Sequence, residues 1–83
     1  MMAMVAISLR VLPTSPEIDL ERLKGQIAKV IEIREARTEP VAFGLMALKI
    51  LIVAPDIGTE EIESKIKALP GVANVMVEKV TLI

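Results

Sequence analysis

The nine residues 45–53, LMALKILIV, constrain this chain more than any other stretch. They are apolar at both phases of a two-residue period and are broken only by Lys49. That pattern reads as a strand buried on nearly both faces, the place of a central strand in a sheet. The run is too short to cross a membrane, which takes roughly 20 apolar residues. A central strand needs a partner on each side, so the rest of the chain has to supply them.

Residues 5–12 supply one. Val5, Ile7, Leu9 and Val11 fall on one side and Ala6, Ser8 and Arg10 on the other, the alternation of a sheet with one buried face. Pro13 and Pro16 lack the N–H that a ladder requires and stop the strand. Asp19 is then placed to cap a helix. Leu20, Leu23, Ile27, Val30 and Ile31 recur along it at intervals of three and four, with Glu21, Arg22, Lys24 and Lys29 on the other face.

Residues 33–40, IREARTEP, are charged, with Ile33 and Ala36 the apolar positions ahead of Pro40. They fit an edge strand, where charge discourages pairing with other chains and a proline is tolerated. After the central strand, APDIGTEE turns the chain, with Gly58 and Thr59 as candidate caps and Glu60 and Glu61 in a helical first turn. Ile62, Ile66 and Leu69 face inward along that helix, Lys65 and Lys67 occupy its last turns, and Pro70-Gly71 ends it. A Val-rich strand over residues 72–82 closes the chain.

The order is β-α-β-β-α-β, two βαβ halves of similar length. Right-handed crossovers in both halves predict an α+β, ferredoxin-like plait: a four-stranded antiparallel sheet with two helices on one face. The first and third strands are central and the second is an edge. With 83 residues, the chain makes one domain, 1–83.

Composition narrows the function. There is no Cys, hence no disulfide, no thiolate metal site and no thiol nucleophile, and the 53% hydrophobic residues must hold the fold alone. No His supplies a base near neutral pH, and the three serines have no evident base partner. Carboxylates pair only at helix starts (Asp19 with Glu21, Glu60 with Glu61), where they complement the helix dipole. No glycine-rich phosphate loop occurs. A net charge of −1 gathers no phosphates, and the central strands carry no aromatics for stacking bases. The chain is therefore read as a non-enzyme with no cofactor and no metal, no direct nucleic-acid partner and no membrane segment. The apolar N-terminus lacks a basic region ahead of it and runs into a strand, so it is not read as a signal peptide. Cysteine-free composition fits the cytoplasm, and the residues carry no signal for an oligomeric state.

One segment stands apart. EPVAFGLMALKILIV, residues 39–53, holds the only aromatic residue of the chain, Phe43, between Pro40 and Gly44. From the residues alone Phe43 either caps the core beneath a turn or is offered to something outside. The P-V-A-F-G-L block, together with SLRVLPTSPEIDLERLK and the closing LPGVANVMVEKV, resembles the translation elongation factor 1-beta family. Archaeal members of that family are stand-alone domains of about this length.

The resemblance implies a guanine-nucleotide exchange domain acting on the GTPase elongation factor 1-alpha. It further implies that Phe43 contacts the GTPase, with Pro40 and Gly44 shaping the turn that holds it out. A single Phe is too little for the task, so Val41, Ala42 and Met46 join the expected contact surface, with Arg37 and Lys49 as nearby basic groups. Eukaryotic relatives carry a penultimate Lys that disturbs the magnesium site of the GTPase. This sequence ends in VTLI, and Lys79 lies too early to match that residue. The rival reading is a small-ligand-binding regulatory plait that dimerises. A ribosomal plait is disfavoured by the near-zero net charge.

Overall fold

The structure, a computed structural model, describes residues 4–42, 44–55 and 59–83. Phe43 and Gly58, on which two of the expectations fall, lie outside the described residues. Six elements follow in the expected order: β1 (Met4–Pro13), α1 (Leu20–Ala28), β2 (Ile33–Pro40), β3 (Met46–Pro55), α2 (Thr59–Lys67) and β4 (Val72–Leu82). The strands form one antiparallel sheet in the order β2-β3-β1-β4, so β1 and β3 are central and the charged β2 is an edge.

The alternation of β1 becomes its burial pattern: Val5, Ile7, Leu9 and Val11 are buried, and the residues between them are half-buried. Register sets Leu9 opposite Ile50 and Ile7 opposite Ile52, so the two central strands present one aliphatic face. Leu23 and Ile27 of α1 and Ile62 and Ile66 of α2 close over that face in a single core. Each such side chain taken out of water contributes about 1.5–3 kcal/mol, which is how a chain without disulfides holds together.

Three local details differ from a simple reading of the pattern. Both helices lie over the same face, so Leu51 and Val53 on the opposite face of β3 are only half-buried. Helix α1 ends at Ala28, before Val30 and Ile31, because both of their N–H groups turn back to the Ile27 carbonyl at 2.9 Å. Val30 is consequently 41% exposed, while Ile31 still packs against the core. Strand β4 bulges: Leu9 faces Val77 and Ser8 faces Lys79, leaving Glu78 as the extra residue.

Caps and turns follow the sequence. Asp19, extended at φ −75° and ψ 107°, accepts at Oδ1 from the N–H of Glu21 at 3.0 Å and of Arg22 at 3.3 Å. At the opposite end of α2, Gly71 takes φ +90°, a conformation that suits a residue without Cβ. Its carbonyl accepts from the Thr14 N–H at 2.9 Å, tying the turn before β4 to the exit of β1. The Ile83 N–H donates to the Met4 carbonyl at 3.0 Å, so the ends of β1 and β4 lie side by side. Met4 faces Pro55, the last residue of β3, so the β2–β3 turn lies at the other end of the sheet.

Candidate partner-docking tip

The β2–β3 connection is a short turn built by its flanking ladder. Thr38 faces Leu48, Glu39 faces Ala47 and Pro40 faces Met46 without a register shift. Beyond that last pair the Val41 N–H donates to the Leu45 carbonyl at 2.9 Å, and the Leu45 N–H donates to Ala42 at 3.0 Å. Gly44 takes φ +75°, and a Cβ built there would meet nothing within 4 Å. Backbone conformation rather than crowding is thus what glycine serves at this position.

The turn is apolar and exposed. Val41 is 44% exposed and Met46 37%, and Pro40, Ala42 and Gly44 are exposed as well. Thr38 and Leu48 share the helix-bearing face, and the two-residue period returns Pro40 and Met46 to it. The high exposure of Met46 places this pair past the cover of the helices. Five of the expected contact residues, Pro40, Val41, Ala42, Gly44 and Met46, are therefore gathered at one end of the sheet. Phe43 falls between them in the chain and lies outside the described residues.

Arg37 and Lys49 are also brought together, but elsewhere. They are direct cross-strand partners on the helix-free face, three register steps from the Pro40–Met46 pair, or about 10 Å along the strands. There they line a shallow concavity of about 630 Å³ with Ser8, Lys79 and Thr81. Lys49 is committed to Glu78 at 3.5 Å, whereas Arg37 makes no ion pair among the described residues. Lys79 sits opposite Ser8 within the body of the sheet.

The structure adds a cluster that no sequence spacing marks. On the helix-free face Arg10 Nη2 lies 3.0 Å from Glu39 Oε1 and 3.3 Å from Glu78 Oε2. The partners come from β2 and β4, and sequence separations this long carry no periodic signal; only the register of the sheet joins them. Among the described residues no ionisable side chain is buried, and no three metal-ligating side chains converge. What this geometry offers is an exposed apolar turn at the end of a regular ladder.

Comparison with known proteins shows the family. Residues 6–83 match the model of the EF-1 guanine nucleotide exchange domain. The chain belongs to that family. Proteins named Elongation factor 1-beta are similar along nearly the whole chain. The one from Methanoregula boonei is 42% identical over 84 residues, covering 98% of this chain and 99% of its own. The one from Staphylothermus marinus is 43% identical, covering 95% and 96%. The one from Halobacterium salinarum is 41% identical, covering 95% and 97%. The family resemblance read in the P-V-A-F-G-L block therefore holds for the chain as a whole. This exchange domain is the ferredoxin-like plait that its own hydrophobic pattern predicts.

Proposed function

We propose that this exchange domain binds elongation factor 1-alpha in the cytoplasm and speeds GDP release by stabilising the nucleotide-free GTPase. The tip of the β2–β3 hairpin is the part that docks. The observation that carries this reading is the cluster of exposed apolar residues, Pro40, Val41, Ala42 and Met46, flanking the only aromatic residue of the chain.

An exchange factor makes and breaks no bonds. It binds the empty GTPase more tightly than the loaded one, and linkage requires that nucleotide then bind the complex more weakly by the same factor. A thousandfold weakening takes roughly 4 kcal/mol of differential binding. A Phe side chain fully withdrawn from water supplies about 1.5–3 kcal/mol. The apolar neighbours of Phe43 must make up the difference. Arg37 and Lys49, on the other face and about 10 Å from the tip, contribute at most to the encounter.

The test is release of a fluorescent GDP from the cognate elongation factor 1-alpha. The wild-type domain accelerates release. Phe43→Ala folds normally and loses roughly ten- to hundredfold of the stimulation, the equivalent of its apolar burial. Full stimulation by Phe43→Ala would remove that residue from the docking surface. No stimulation by the wild-type domain would remove the function.

A further inference from the structure

We propose that Arg10 is a positioning residue that holds the docking tip in its binding shape, acting through Glu39. The inference rests on the tip being the docking element. The carrying observation is an ion pair that spans a strand. Glu39 lies on β2 and Arg10 on β1, and β3 runs between them. Adjacent strands stand about 4.8 Å apart, so these two backbones are separated by roughly 10 Å. The side chains still close to 3.0 Å. Both must therefore lie flat along the sheet and meet over β3.

The residue beneath them permits this. Glu39 faces Ala47, which shares the helix-free face with Lys49 and Leu51, yet Ala47 is 0% exposed. No helix covers that face, and the long side chains of its neighbours are what roof it. A methyl group is small enough for the bridge to pass above. The same Nη2 also reaches Glu78, the bulged residue of β4, at 3.3 Å. Arg10 thus ties both edge strands to the centre. Its Nε is buried without a partner, a cost accepted in holding the guanidinium flat toward two carboxylates.

Glu39 immediately precedes Pro40, where the ladder of the edge strand runs out. The turn beyond is closed by the two hydrogen bonds between residues 41–45, and an edge hairpin of this kind is a natural place for local opening. Anchoring Glu39 to a central strand stops that opening one residue before the apolar tip. A tip already in its docking shape binds more tightly, because affinity falls in proportion to the fraction of molecules that are competent.

Arg10→Met and Glu39→Gln break the pair, and Ala47→Leu keeps every charge but fills the space the bridge crosses. Each variant is expected to raise the half-saturating concentration of the domain in the GDP-release assay about two- to fivefold, the range of a partly exposed ion pair, with the maximal rate unchanged. Hydrogen exchange at the Val41 and Leu45 amides is expected to quicken by a similar factor. The positioning role is overturned if half-saturation and amide exchange are unchanged in Arg10→Met and Glu39→Gln, two variants on a partly exposed surface. It is equally overturned if Arg10→Met raises half-saturation while exchange at the Val41 and Leu45 amides is unchanged, since Arg10 would then act elsewhere. Full activity of Phe43→Ala alone would instead remove Phe43 from the docking surface, and the amide-exchange measurement would still judge the link from Arg10 to the tip.

Discussion

Arg10 and Lys49 stand directly opposite each other on the two central strands, and Glu78 bonds both, at 3.3 Å and 3.5 Å. Arg37 continues the row on β2, so three cations lie side by side across the sheet. Like charges in register repel, and a row of this kind stands only where carboxylates are interleaved. The bulge in β4 supplies one by turning Glu78 out of the ladder.

Neutralising that carboxylate should expose the repulsion. Glu78→Gln is expected to destabilise the domain by about 1 kcal/mol at low ionic strength, since two cations lose one shared partner. The loss should shrink as salt is added and the Debye length contracts. Urea unfolding midpoints at low and high salt measure both. A midpoint unmoved at low salt would mean that the network contributes nothing net.

Two glycines predict opposite signs. Gly25 lies inside α1, exposed, and a Cβ built there meets nothing within 4 Å. Gly25→Ala should stabilise by about 0.5–1 kcal/mol, because the unfolded chain loses freedom while the helix gains a better former. Gly71 has φ +90°, and its added Cβ would stand 3.3 Å from Ile18 Cδ1. Gly71→Ala should cost about 1–3 kcal/mol through backbone strain. Denaturant midpoints of the two variants should move apart, and movement in the same direction would refute the local account.

Position, not mere greasiness, should decide which exposed apolar residues matter for exchange. Met46 at the tip and Val80 near the other end of the sheet are 37% and 49% exposed. Met46→Ser should raise the half-saturating concentration roughly fivefold, the equivalent of about 1 kcal/mol of lost apolar contact. Val80→Ser should leave it unchanged. Equal effects from both, measured by GDP release, would mean that docking is not confined to the hairpin end.

Much of this architecture was readable from local chemistry. A strict two-residue alternation in β1 sets its buried side, and Asp19 before Leu20 marks a helix start, since each signal is contained within one element. The charges and Pro40 of β2 likewise announce an edge. The early end of α1 was not readable, because Val30 and Ile31 continue the apolar spacing and only their hydrogen bonds to Ile27 reveal the turn. Register was invisible as well. It sends Arg37 and Lys49 to the helix-free face, away from the tip with which sequence proximity had grouped them, and it joins Arg10 to Glu39 across an intervening strand. For Phe43, hydrophobicity alone favours a place in the core; the family pattern around it, not its own chemistry, points outward.

The hydrogen bond from Ile83 to Met4 carries a practical corollary. Met4 and Ile83 lie side by side, and the ten residues of β3 separate that corner from the hairpin by roughly 30 Å. A fluorophore or bead attached at the Met4–Ile83 corner would sit behind the molecule. A tether at that corner would leave the business end of the plait pointing freely into solution.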